Sequence, residues 1–160
     1  MGMSALRSHT TPPTMPPIRI DDYKPEFARA LVEMWRESFQ HGVGIIDTRP
    51  IEQQQSFFEN EVLPKCKVRV ALEGAMIVGF IAFTPTWVEH LYVAVPSIGQ
   101  GIGTRLLNEA KNESEGTLLL YTFAQNSTAR AFYEHHGFKD IGHGFENMWN
   151  LEDVKYQWSR

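Results

Sequence analysis

Cysteine is almost missing from this chain: Cys66 is the only one in 160 residues. A lone thiol can form neither an intramolecular disulfide framework nor a cysteine-based zinc cluster, so a reducing, cytoplasmic setting is expected. No apolar run reaches the roughly 18 residues of a membrane span, so no membrane partner is expected. The first residues lack the charged stretch and apolar run of a signal peptide. Basic runs are missing too. Fifteen Lys and Arg against nineteen Asp and Glu leave a formal charge of −4, which speaks against a nucleic-acid partner. A mildly acidic balance suits a cationic or amine ligand. There is no Gly-Lys-Ser/Thr sequence, which excludes a P-loop.

What remains is an ordinary globular composition, 42% hydrophobic and 21% charged. The length suffices for one core and is short for two. Residues 1–17 carry Pro12, Pro13, Pro16 and Pro17 among Ser and Thr, which predicts a disordered tail and leaves 18–160 as one domain.

The pattern then becomes regular. Ile18–Ile20 reads as a first strand. Pro25 precedes a helix with Phe27, Leu31, Met34, Trp35 and Ser38 at helical spacing, ending in a flexible loop at His41–Gly44. Pro50 opens a second helix bearing Ile51, Gln55, Phe58 and Val62. Val68–Leu72 and Met76–Phe83 form a hairpin around Glu73-Gly74. In the next strand Trp87, Glu89, Leu91 and Val93 alternate with Val88, His90, Tyr92 and Ala94. A helix from Gly101 to about Asn112, a strand at Thr117–Phe123 and a helix over Asn126–His136 follow, the last with Asn126 as N-cap and Gly137 as stop. Phe138–Ile141 and Val154–Trp158 close the chain. Strands that first meet strands and then alternate with helices argue an α/β fold with helices on both faces of one sheet.

The chemistry centres on Gly99-Gln100-Gly101-Ile102-Gly103-Thr104, after a strand and before a helix. Free N–H groups at a helix start and the positive end of its dipole make an anion site. Glycines let a pyrophosphate approach the backbone. The spacing does not fit Gly-x-Gly-x-x-Gly, so the dinucleotide fingerprint fails. An ordinary tight turn is the competing reading of the loop alone.

The order Glu89-His-Leu-Tyr-Val93, this loop, Leu106-Leu107, Asn126-Ser-Thr-Ala129-Arg-Ala-Phe132-Tyr133 and Gly137-Phe138 resembles the GNAT superfamily of acyl-CoA-dependent N-acetyltransferases over about Val88–Gly142. Upstream only the order of elements is similar. Ile98 departs from the family's usual Gln or Arg at the loop start, which predicts weaker cofactor affinity. The ending, with Asn147, Asp153, Tyr156 and Trp158, resembles that of a subset of the family.

The resemblance implies a mixed, mostly antiparallel sheet with a splayed central strand pair, and direct acetyl transfer from acetyl-CoA to an amine. It implies that the cofactor lies along Leu91, Tyr92, Val93, Ile98–Thr104, Asn126, Ala129, Phe132 and Tyr133. Backbone N–H groups of Leu91–Val93 would polarise the thioester carbonyl, and the Tyr133 hydroxyl would protonate the departing sulfur, with a plain core tyrosine as the alternative. Glu89 is the candidate base, with a solvated strand carboxylate as its plain alternative and His41 or His90 as other bases. Trp35, Glu37 and Phe39 fall on or beside the first helix, which borders the acceptor site in the family, with ordinary core and surface places as their plain alternative. Glu146 and Trp149 are candidates to wall the acceptor pocket. His135-His136 suggests no third ligand, so no metal is expected. A homodimer stays open. A non-catalytic acyl-CoA-binding module is the alternative function, and a flavodoxin-like phosphate binder is disfavoured because the loop follows a late strand.

Overall fold

The computed structural model describes residues 16–160. The tail expected over 1–17 therefore lies outside the described residues as far as residue 15, and Pro16 and Pro17 are exposed.

Strand β1 (Ile18–Asp22) is followed by a short tight turn (Pro25–Phe27) and helix α1 (Ala28–Val43). Proline at the turn's start fits because its fixed φ is helical and the N–H it lacks would find no partner there. Leu31, Val32, Trp35, Phe39 and Val43 form the buried stripe of α1. The helix continues through His41–Val43, where a flexible loop was expected. It stops one residue later: Gly44 takes φ +81° and gives its N–H to the Gln40 carbonyl at 2.9 Å. Helix α2 (Ile51–Phe57) widens in its last turn (Phe58–Val62), where the Leu63 N–H reaches back to the Phe58 carbonyl and Phe58 and Val62 are buried.

Strands β2 (Lys67–Glu73), β3 (Met76–Phe83) and β4 (Val88–Val93) join β1 in an antiparallel sheet of order β1-β2-β3-β4. Helix α3 (Ile102–Glu113), strand β5 (Thr117–Phe123), helix α4 (Ser127–His135), strand β6 (Lys139–Gly144) and strand β7 (Asp153–Ser159) complete the fold. The last three strands make a second antiparallel sheet, β5-β7-β6.

The two sheets touch at one parallel bridge between Trp87 and Leu119, where the Leu119 N–H meets the Thr86 carbonyl at 2.9 Å. Past that point β4 and β5 carry no pairing. The expected α/β fold with a parted central pair is present, and its parallel component is confined to this one bridge.

Two apolar clusters cover the two faces. Leu31, Trp35, Phe39, Phe58, Val70 and Phe80 join α1 and α2 to one face, while Ile102, Leu106, Leu118, Tyr133 and Tyr156 join α3 and α4 to the other. Gly79 sets the distance of α3 from the sheet. A Cβ there would sit 3.0 Å from Leu106 Cδ1 and 3.1 Å from Ile102 Cγ2. No helix among the described residues is long and apolar enough to cross a membrane.

Candidate active site

The parting of β4 from β5 opens a cleft of about 1110 Å³. One wall is β4, whose alternation is broken. Phe83 pairs with Val88 but Ala82 pairs with His90, so Glu89 is the extra residue of a bulge. Val88 therefore packs in the same cluster as Leu91 and Val93, and not on the face of His90 and Tyr92 as strict alternation predicted.

The ladder decides which N–H groups of β4 are free. Ala94 gives its N–H to the Val78 carbonyl at 2.8 Å, and Tyr92 pairs with Phe80. In an antiparallel ladder the N–H groups alternate in direction, so those of Leu91 and Val93 turn away from β3 toward the opening. Tyr92 was grouped with them, but its N–H belongs to the β3 ladder, and its ring lies among Trp35, Phe80 and His90.

At the cleft's end lies the loop before α3. Gly99 and Gly101 have φ of +88° and +80°, and a Cβ on either would meet nothing within 4 Å. The first hydrogen bond of the helix is from the Arg105 N–H to the Gly101 carbonyl, at 3.2 Å. The N–H groups from Gly99 to Thr104 thus have no backbone partner among the described residues. That run of donors and the dipole of α3 make an anion cradle. Ile98, Gly99 and Gly101–Thr104 line the cleft; Gln100 does not, and is exposed. The expectation for Gln100 rests on its backbone N–H, which is one of the loop's free donors. Gly103 is needed for another reason: a Cβ there would come 3.2 Å from the Phe132 ring, so the glycine lets α3 and α4 meet.

Helix α4 forms the opposite wall. Asn126 is its N-cap, its side-chain oxygen accepting the Ala129 N–H at 3.1 Å. Gln125 donates to the Val43 carbonyl, tying this end to α1. Gly42 permits the contact, since a Cβ would lie 2.7 Å from Asn126 Nδ2. Ala129, Phe132 and Tyr133 line the cleft. Tyr133 is only 7% exposed, and its hydroxyl has no hydrogen-bond partner among the described residues. Burial, with the Tyr92 phenol adding, raises this hydroxyl above the usual phenol range, so near neutral pH it is a donor. Thr104 Oγ1 meets His136 Nε2 at 3.0 Å, joining the loop to the end of α4. Burial, followed by the Lys111 and His135 charges, lowers the His136 pKa.

The other candidates divide. Glu89 is exposed and lines the cleft, and its charge reaches the thiol of Cys66, whose pKa burial chiefly raises. His41 and Glu146 also line the cleft. Glu37 is exposed on α1, away from it. His90 is packed against the Trp35 ring, centroids 4.7 Å apart, and burial pushes its pKa down to about 4. No cluster of three His, Cys, Asp or Glu that could hold a metal occurs among the described residues.

Trp35, Phe39 and Trp149, each expected toward the acceptor side, come together in a second cavity whose shape and charge only the fold reveals. The available signal was Trp35 and Phe39 four apart on one helical stripe. Nothing local linked them to Trp149, which arrives from the loop between β6 and β7. Asn147 shapes that loop: its Nδ2 donates to the Leu151 carbonyl and to Asp153, and its Oδ1 accepts the Trp149 N–H at 3.0 Å. Tyr156 serves the other face, accepting from Arg130 and donating to Glu134 of α4.

The parted strands and the loop-capped helix beside them define the class of protein. The chain belongs to the GNAT acetyltransferase family. Residues 64–140 match the model of the acetyltransferase (GNAT) domain. Over 137 residues it is 30% identical to a probable N-acetyltransferase of Mycobacterium tuberculosis, covering 76% of this chain and 77% of that protein. Two solved structures share its fold. The PaiA N-acetyltransferase of Thermoplasma acidophilum, solved in complex with coenzyme A, has a TM-score of 0.71 at 22% identity, over 90% of this chain and 99% of that one. The apo form of YjaB from Escherichia coli has a TM-score of 0.74 at 21% identity, over 89% and 97%.

Proposed function

We propose that this chain is an enzyme transferring the acetyl group of acetyl-CoA directly to a primary amine. One observation carries the reading: the free N–H groups of Leu91 and Val93 and those of Gly99–Thr104 face a single cleft. A pyrophosphate on the loop leaves the pantetheine arm to run along β4, as a missing strand would. The glycines fit this ligand, because no side chain stands between the donors and a phosphate.

In the reaction the amine nitrogen bonds to the thioester carbonyl carbon, and the carbon–sulfur bond breaks. The sulfur leaves with the bonding pair and takes a proton from Tyr133. That proton is restored from the solvent, and an ammonium acceptor gives up two protons in becoming the amide N–H. Leu91 and Val93 N–H groups stabilise charge on the carbonyl oxygen as the nitrogen adds, which is where fixed donors accelerate most. Glu89 takes protons from the amine through water. A coenzyme A thiol of pKa about 8.5 is already a fair leaving group, so Tyr133 contributes modestly, about 10²–10⁴-fold.

The test is thiol release from acetyl-CoA across a panel of primary amines, with calorimetry for acetyl-CoA alone. Binding together with amine-dependent release is expected. Binding without release for any amine would replace an enzyme with an acyl-CoA-binding module.

A further inference from the structure

The second cavity, of about 290 Å³, lies on the α1 and α2 side of β4. Its walls are rings. Phe39 lies against Trp149 with centroids 5.3 Å apart, Trp35 against Phe57 at 6.4 Å, and Phe39 against Phe123 at 6.0 Å. His90, Tyr92, Phe123 and Asn147 line both this cavity and the larger cleft, so the two meet beside β4. A ligand lodged among the rings would put its free end at His90, next to the unpaired side of the strand.

The charges on this wall decide what kind of amine fits. They are Arg36, Asp47 and Arg49. Arg49 takes both oxygens of Asp47, at 3.0 and 2.8 Å, and Arg36 Nη2 stands 3.6 Å from the same carboxylate. Two guanidinium groups thus face one fully engaged carboxylate, and no acidic group is left for a second ammonium. Bare rings can attract a cation, but Arg49 already sits over the Trp149 ring, 5.4 Å from its centroid. A polyamine would have to bury its distal ammonium beside two like charges without a counter-ion, which is strongly unfavourable.

Resting on the transferase reading, we propose that the acceptor is a small monoamine bearing one aromatic ring, the ring held in this cavity and the amine beside His90. The volume is at the lower end of small-molecule sites, which run from about 300 to 1,000 Å³. It suits a single ring on a short arm. The transfer is the one above: a nitrogen–carbonyl bond forms, the carbon–sulfur bond breaks, and the thiol and a proton leave.

The experiment measures kcat/KM for phenethylamine, n-butylamine, spermidine and a tripeptide with N-terminal Phe. Phenethylamine is expected to exceed n-butylamine and spermidine at least tenfold. Phe57 stands half-exposed at the cavity's edge, so Phe57→Ala should fold. It and Trp149→Ala should each raise KM for phenethylamine about five- to tenfold and KM for n-butylamine less than twofold. Preference for spermidine, or equal losses for both amines, would overturn the ring site. Preference for the tripeptide would overturn the small-molecule acceptor. If acetyl-CoA binds but no amine releases thiol, the transferase reading fails instead. A thermal shift with phenethylamine that Trp149→Ala abolishes would still support the ring site, and no shift would overturn it.

Discussion

At the scale of residues, the roles proposed for Tyr133 and Glu89 can be tested separately. Tyr133 is buried against Phe138 and Tyr156, and its hydroxyl is the only polar atom of its side chain. Tyr133→Phe keeps the ring packing and removes the donor. It should lower kcat at least tenfold with little change in KM for acetyl-CoA, because a group acting only as the thiolate forms is absent from ground-state binding. Steady-state kinetics equal to wild type would make Tyr133 a packing residue. Glu89 sits on a bulge, which aims it differently from its strand neighbours. With an acceptor amine of pKa near 10, deprotonation at pH 7 costs about 4 kcal/mol, and a base speeds that step. Glu89→Gln should therefore slow turnover near pH 7 and converge on wild type as pH nears the amine's own pKa. Parallel pH–rate profiles would pass the role to His41, His90 or water.

At the scale of elements, the loop and α3 act as one device. The dipole of α3 and the N–H run from Gly99 to Thr104 bind an anion only if the backbone keeps its positive φ at Gly99 and Gly101. Gly101→Glu forces a side chain into a conformation that costs about 1–2 kcal/mol and sets a negative charge at the cradle. Open space surrounds the position, so the fold should survive. Calorimetry should find acetyl-CoA affinity reduced at least a hundredfold with the circular dichroism spectrum unchanged; retained affinity would move phosphate binding elsewhere. Ile98, about half-exposed at the loop's start, offers no polar side-chain donor, so the backbone must supply the contacts.

At the scale of the whole molecule, His90 and His136 link stability to pH. His90 is held at about 4 by burial, and His136 is lowered by burial first. A folded pKa below the unfolded value of about 6.5 means that the unfolded chain binds more protons between those limits, so stability falls as pH drops from 6.5 toward 4. For His90 the loss is up to about 3 kcal/mol. His143 works in the opposite direction. Glu152 first, then Asp140, raise its pKa, so its contribution is complete below 6.5 and fades as pH rises through the folded value. It is exposed and screened, so His90 dominates. The melting temperature should fall between pH 6.5 and 4, and His90→Gln should flatten part of that slope. An unchanged slope in the variant would mean that His90 stays accessible to protons in the fold.

The loop, the N-cap at Asn126 and the apolar stripes could be read directly from the sequence. Each depends on residues a few positions apart, whose geometry the chain itself dictates: glycine for positive φ, Asn for a cap, every third or fourth residue for a buried face. Those local rules brought β4, the loop and α4 into the order that resembles the family. What they could not give was the relation between distant segments. Strict alternation put Val88 opposite Leu91, because a bulge depends on how β3 pairs and leaves no mark in the strand itself. Gln100 is exposed, so its part in the loop rests on its backbone N–H alone. The joining of Trp35 and Phe39 with Trp149, more than a hundred positions later, arises only when β7 packs beside β5 and Asn147 folds the preceding loop over α1. Sequence determined the position of the proposed anion site, because that site is built from consecutive backbone groups. Tertiary structure alone decided the shape and charge of the cavity beside it, because its walls come from five separate segments brought together by burial of the core.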